Sequence, residues 1–208
     1  MGKKRLERAI EQYKKTVPGG ADDSFIVTWH PSYLDASLPK TGGVDRYEYL
    51  VKKYGPERAK MITVRLQNVG AAEGINFKHD KIGNTRDAHR LVQLAKTKSN
   101  EIENKLEASL FKAVHEEAMN VTCREVLVSA GEKAGLEAAE INSWLDEGKG
   151  GDDVDREVEA ASRGGIQGVP SYTINDRWQV EGAQDTDAFL SLFIRVKASP
   201  KGGTLGLL

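Results

Sequence analysis

Between residues 3 and 16 the apolar positions Leu6, Ile10 and Tyr13, with Ala9 beside them, recur at helical spacing, and Pro18-Gly19-Gly20 ends the pattern. The pattern then changes period. Ser24 to Trp29 is a short apolar, β-branched run closed by Pro31, which predicts a mostly buried strand. Helical spacing returns over Asp45 to Tyr54. It restarts at Pro56, near the first turn of a helix running to about Ala72. The middle third predicts five more helices, Asn84–Thr97, Glu101–Met119, Thr122–Ala134, Ala138–Glu147 and Asp152–Arg163. Thr122 and Glu125 have the spacing of a capping box. Two short apolar runs follow, Ser171–Ile174 and Trp178–Val180. The turn Asn175-Asp176-Arg177 between them predicts an antiparallel hairpin. Asp185 is placed to cap a last helix with the stripe Phe189, Leu192, Phe193 and Val196. The glycine-bearing tail from Pro200 to Leu208 reads as loose.

At 208 residues the chain has room for one large domain, or for a small fold carrying an insertion. Lys plus Arg number 30 against 31 Asp plus Glu, so a net charge of −1 offers no field for nucleic acid or an anionic membrane. No apolar run approaches the roughly 20 residues that span a bilayer. The basic, amphipathic start lacks the apolar core of a secretory signal. Leu6 stands where a myristoylation motif needs Ser or Thr. The expectation is a cytoplasmic protein without nucleic-acid or membrane partners. The single cysteine, Cys123, rules out a disulfide or a C-x-x-C pair within these residues. Lying on a predicted helix near Val121, Val126 and Leu127, it reads as a small buried hydrophobe. The four histidines and one cysteine are scattered, so no metal site is expected.

Gly168-Val169-Pro170 heads the second predicted strand. Taken alone, it reads as a proline at the first position of a strand, where its missing N–H does no harm. Three stretches change its meaning: Asn84 to Lys96 (NTRDAHRLVQLAK), Arg124 to Leu136 (REVLVSAGEKAGL) and Gly165 to Leu190 (GIQGVPSYTINDRWQVEGAQDTDAFL). Together, and in this order, they resemble the DsbA-like thioredoxin family over residues 2–198. The nearest likeness is to its cytosolic, polyketide-cluster-associated disulfide oxidoreductases. Relatives of that branch include 2-hydroxychromene-2-carboxylate isomerases and kappa-class glutathione transferases.

The resemblance implies an α/β, thioredoxin-like fold with a large α-helical insertion. Residues 1–44 and 165–198 would form the thioredoxin-like part, 45–164 the helical insertion and 199–208 a flexible tail. It implies a cis bond before Pro170. The family's first strand and C-P-W-C-Y-type turn precede a segment like Gly2-Lys3-Lys4-Arg5-Leu6, and Met1 stands where that turn should end. The first strand and the dithiol are therefore expected to be missing. The run Ser24–Trp29 would lose its inner neighbour, leaving a weakened or rearranged sheet, or one completed by another chain.

The activity implied is thiol–disulfide exchange on a peptide or small-molecule thiol or disulfide. It would be impaired in this chain for want of the dithiol, and no residue is assigned as catalytic. The alternatives are a non-catalytic binding protein and a glutathione-dependent isomerase or transferase. No cofactor is required, glutathione is allowed, and a homo-oligomer remains open. The expected substrate-binding residues are Gly168, Val169, Pro170, His30, Asn84 and Thr85. His30 follows the strand, in a loop that walls the cleft in the family; otherwise it is a hydrogen-bonded surface residue. Asn84-Thr85 caps a helix whose N-terminal amides suit a carboxylate. Gly182-Ala183-Gln184 resembles the loop beside the family's active site. His79 lies in a charged loop, His89 reads as structural, and His115 as part of a solvated helix face. Trp29, Tyr172 and Trp178 read as core aromatics, with a cleft lining as the alternative.

Overall fold

The computed structural model describes residues 1–78, 80–199 and the strand 205–207; His79 and most of the expected loose tail lie outside the described residues. In chain order the elements are α1 (Gly2–Thr16), β1 (Phe25–Val27), β2 (Val44–Asp45), α2 (Arg46–Tyr54), α3 (Pro56–Ala72), β3 (Lys81–Ile82), α4 (Arg86–Lys98), α5 (Asn100–His115), α6 (Arg124–Ala134), α7 (Ala138–Asp146), α8 (Gly151–Arg163), β4 (Ser171–Ile174), β5 (Trp178–Glu181), α9 (Thr186–Lys197) and β6 (Leu205–Leu207). They fall into two compact units. One is built from 1–28 and 162–208, the other from 29–161. The loop after β1 therefore sits with the helical unit, whereas the expected insertion begins at residue 45.

The first unit is an α/β layer. Its sheet runs in the order β1-β6-β4-β5, with β4 and β5 antiparallel in the register Ser171↔Glu181 to Ile174↔Trp178. The hairpin closes through Asn175 and Asp176, both at positive φ (50° and 54°), a region these two short polar residues tolerate better than most. Helices α1 and α9 pack on each other because their apolar stripes coincide. Leu6, Ala9 and Tyr13 from α1 meet Phe189, Phe193 and Val196 from α9, with Ile174 at the sheet, all buried. Phe193 is fully enclosed. Its ring stands edge-on to Tyr13 at 6.0 Å and to Phe25 at 5.1 Å.

The sheet corrects two expectations. Strand β1 does have an inner neighbour. It is β6, from the tail expected to be loose, paired in parallel as Phe25↔Leu205, Ile26↔Gly206 and Val27↔Leu207. The other edge of β6 meets β4 in antiparallel sense at Ile174↔Leu207. The physical reason is the one that made the vacancy costly: two strands with unpaired N–H and C=O groups facing each other recruit any extended segment within reach. The sheet is completed from within the chain rather than by another copy. Strand β1 is also shorter than the run Ser24–Trp29, spanning three residues.

The second unit is helical. Leu91, Leu94 and Ala95 of α4, Leu106 and Leu110 of α5, Leu127 and Ala130 of α6 and Ile141 and Leu145 of α7 form its core. Helix α3 starts with Pro56 at its first turn, as expected. Two short strands not foreseen, β2 and β3, pair as Val44↔Ile82 and Asp45↔Lys81. The capping box at Thr122 is not formed. The Thr122 hydroxyl donates instead to Asn120 Oδ1 at 2.9 Å, and α6 starts two residues later, behind Cys123. Cys123 is thus a half-buried N-cap residue rather than a core one. Among the described residues no helix is long and apolar enough to cross a membrane.

Candidate functional site

In the first unit, three segments converge on Pro170. The Val169–Pro170 peptide bond is cis. Pro170 enters β4 with its carbonyl oxygen accepting a hydrogen bond from the Gly182 N–H at 2.8 Å, which fixes the loop after β5 against the start of β4. Helix α1 is tied to that same loop through Arg5. Its Nη1 donates to the Ala183 carbonyl at 2.7 Å and pairs with the Asp185 carboxylate at 2.9 Å. Asp185 is the N-cap residue of α9, as expected, but its side chain makes no capping bond and serves Arg5 instead.

The head of α1 reaches Pro170 because residue 2 is glycine. A β-carbon there would stand 3.1 Å from Pro170 Cγ and would overlap the Tyr172 hydroxyl. That hydroxyl is shielded from solvent without a hydrogen-bonding partner among the described residues, and burial pushes its pKa up to about 12. The pKa of the Met1 amino group is lowered, first by burial and then by Lys4 and Arg5. On the outer side, Gly168 is exposed and Val169 is 48% exposed. The residues just before Pro170 are therefore exposed, while the Pro170 carbonyl is held by Gly182.

The remaining expected site residues lie in the second unit. His30 is exposed, with Nδ1 2.7 Å from Glu157 Oε2. The other carboxylate oxygen accepts from Gln93 Nε2 at 2.7 Å, and Lys96 Nζ lies 3.2 Å from Oε2. Burial would raise the pKa of Glu157. The hydrogen bonds from His30 and Gln93 and the Lys96 charge outweigh it and hold the carboxyl at about 2. A fixed anion thus orients the imidazole.

Thr85 is the N-cap residue of α4 but makes no capping bond. Asn84 is buried and fully engaged. Its Oδ1 accepts from the Arg86 N–H at 2.9 Å, its Nδ2 donates to the Ala36 carbonyl at 3.0 Å, and its own N–H donates to the Pro39 carbonyl at 2.9 Å. The Asn84 side chain therefore holds the loop in front of α4.

Other candidates resolve into structure. His89 lies with Nε2 3.2 Å from the Ser32 carbonyl, its pKa lowered chiefly by burial. His115 is not on a solvated face. It sits 5.5 Å from the Phe77 ring and 5.9 Å from Phe111, and burial above all lowers its pKa to about 4. Trp29 belongs to the helical core. Its indole N–H donates to Asn104 Oδ1 at 2.9 Å and its backbone N–H to Glu103 Oε1 at 2.8 Å.

Gly2, Arg5 and Glu157 were not singled out in the sequence as site residues, whereas Tyr172 was read as a core aromatic with a cleft lining as the alternative. Nothing in the sequence links Glu157 to His30.

A family model for the DSBA-like thioredoxin domain matches residues 1–193. Among solved structures, the crystal structure of a probable DsbA oxidoreductase from Streptomyces coelicolor superposes with a TM-score of 0.78 at 27% identity, covering 93% of this chain and 82% of that one. No curated protein matches the chain. The thioredoxin-like α/β fold expected from the three sequence stretches is therefore correct, and the chain belongs to the DSBA-like thioredoxin family.

Proposed function

We propose that this chain is an oxidoreductase scaffold of the DsbA type that binds an extended peptide, or a small thiol or disulfide such as glutathione, along the Gly168-Val169-Pro170 edge. Its turnover of such substrates is weak or nil. The observation that carries the binding half is the exposure of Val169 beside a Pro170 that Gly2, Gly182 and Arg5 hold from behind. An edge with fixed backing and open backbone suits main-chain recognition of an extended partner. The family and the Streptomyces neighbour support oxidoreduction as the ancestral chemistry.

The limit on turnover comes from electron counting. In thiol–disulfide exchange a thiolate attacks one substrate sulfur and expels the other as a thiolate. A second thiol then displaces the mixed disulfide, so that two thiols are oxidised as one disulfide is reduced. One cysteine supplies only the first step. The reading assigns His30 and Thr85 to substrate contact and Asn84 to shaping their loop. By resemblance it places the protein in the cytoplasm, with a pathway thiol or disulfide as substrate.

Two measurements test it together. A fluorescein-labelled extended peptide and oxidised glutathione are titrated against the protein, and insulin reduction by dithiothreitol is followed with and without it. Saturable binding with insulin reduction no faster than dithiothreitol alone is the expected pair of results. Turnover typical of a dithiol enzyme would overturn the assigned impairment, and absence of binding to either probe would overturn the assigned edge.

A further inference from the structure

A cavity of about 120 Å³ lies in the helical unit, where the end of β2 and the first turn of α2 meet the middle of α3 and the segment before β3. Arg46 decides its chemistry. Its backbone N–H is committed to the Asp80 carbonyl at 2.9 Å, which leaves the guanidinium as the group with bonds to give. Arg46 is half-buried, and burial lowers the pKa of its side chain. A guanidinium on a carboxylate is shifted the other way, as Arg86 is by Asp155, whose oxygens it grips at 2.7 and 3.1 Å. No carboxylate among the described residues pairs with Arg46. A cation partly withdrawn from water without a partner carries a desolvation cost that a bound anion offsets.

The walls select the kind of anion. A cavity of about 150 Å³ admits benzene, so the space beside Arg46 takes a handful of heavy atoms and excludes a nucleotide. The planar fork of a guanidinium matches a carboxylate through two parallel bonds. The Gln67 amide adds a donor, and Leu66 and Phe77 give the hydrocarbon part of a ligand an apolar wall. Asp45 and Asp80 line the same cavity. Two negative groups nearby repel a dianion about twice as strongly as a monoanion, which disfavours phosphate and sulfate.

We infer that this cavity binds a short aliphatic monocarboxylate, with Arg46 as its counter-ion and Leu66 and Phe77 along its hydrocarbon chain. The lining residues all belong to 29–161, so the ligand is held without any residue of the Pro170 edge.

Butyrate, n-butylammonium and inorganic phosphate are titrated separately against the full chain at neutral pH and constant ionic strength, and the backbone amide chemical shifts are followed. Butyrate is expected to saturate, with the shifts concentrated at residues 45–47 and 63–67. Butylammonium, its cationic counterpart, should not saturate, and phosphate should bind several-fold more weakly. Arg46→Met keeps the stem of the side chain, removes its charge and should weaken butyrate about tenfold. Gln67→Leu, at an exposed position, removes only the added donor and should weaken butyrate about two- to threefold, a readout that remains if Arg46→Met does not fold. Absence of saturation by butyrate, equal binding of phosphate, saturation by butylammonium or shifts centred on other elements would each overturn the assignment. So would undiminished butyrate affinity in a folded Arg46→Met, or in Gln67→Leu.

Discussion

Gly2 lies against the phenol of Tyr172: a β-carbon at residue 2 would sit 3.5 Å from Tyr172 Cζ and would collide with the hydroxyl beyond it. The ring is rigid, and among the described residues the hydroxyl has no hydrogen-bonding partner. The obstacle to a side chain at position 2 is therefore mostly one oxygen atom. Gly2→Ala is expected to destabilise the protein by about 1–3 kcal/mol, the usual cost of overpacking. Tyr172→Phe alone should be neutral or stabilising, since it removes a shielded and unbonded polar group. The double variant should recover most of the alanine penalty, with a remainder from the 3.1 Å approach to Pro170 Cγ. Urea unfolding of the four proteins in a double-mutant cycle measures the coupling. Simple additivity would show that the hydroxyl is not the obstacle.

That contact marks where sequence reading reaches and where it stops. The stripes Leu6-Ala9-Tyr13 and Phe189-Phe193-Val196 are periodic, so their helices and their buried faces were legible. The hairpin from Ser171 was legible because Asn175-Asp176 is local turn chemistry. Strand β6 was not. A three-residue strand containing glycine has no periodicity of its own, and what makes it a strand is the pair of open edges it meets. The same limit hid Glu157 from His30, 127 positions away, and sent the Thr122 hydroxyl to Asn120 instead of into a cap. Local competition among short polar side chains is decided by which partner is nearest in the folded chain.

Arg5 joins α1 to the loop behind Pro170 through Ala183 and Asp185, and its side chain is 19% exposed. Arg5→Ala removes a charge-assisted bond and leaves the Ala183 carbonyl to find water. About 1–2 kcal/mol of stability should be lost. On the proposed reading the effect on ligand is separable from that loss. With the backing of Pro170 loosened, the affinity for the labelled peptide should fall about three- to tenfold at temperatures where the variant is still fully folded, the equivalent of roughly 1 kcal/mol. Arg5→Lys keeps the charge but not the two-direction geometry and should fall between. Anisotropy titrations at matched folded fraction provide the check, and unchanged affinity in Arg5→Ala would separate Arg5 from the edge.

Glu157 sets an acid-side dependence of the helical unit. Its carboxyl is held at about 2 against an ordinary 4.5, so the folded state binds the proton more weakly than the unfolded chain does. The sign follows from linkage. The stabilisation is fully present above about pH 4.5 and is lost as pH falls toward 2. Glu157→Gln cannot titrate, so its stability profile should be flatter than that of the parent across that window. At neutral pH the variant should be less stable by about 1–3 kcal/mol, because Lys96 and His30 lose their anion. Urea midpoints between pH 2 and 7 for the two proteins test both statements. Parallel profiles would mean the carboxyl is not depressed in the folded state.

Phe193 fixes the stability of the first unit. Its ring is 0% exposed and touches aromatic neighbours from three elements: Tyr13 on α1 at 6.0 Å, Phe25 on β1 at 5.1 Å and Phe189 on its own helix at 6.3 Å. Truncation to alanine removes the burial of a large ring and also leaves a cavity that rigid neighbours cannot close, at about 3–5 kcal/mol. Domains are stable by about 5–15 kcal/mol in total, so Phe193→Ala brings this unit near its unfolding threshold. Phe193→Leu keeps most of the volume and should lose less than half as much. Because Phe25 opens β1, the strand that pairs with β6, the alanine variant should also lose amide protection in β1 and β4 ahead of α4 to α7, whose core is built from other residues. Hydrogen exchange resolved by segment reads this difference directly. Uniform loss of protection across all helices would instead show that the two cores unfold as one cooperative unit.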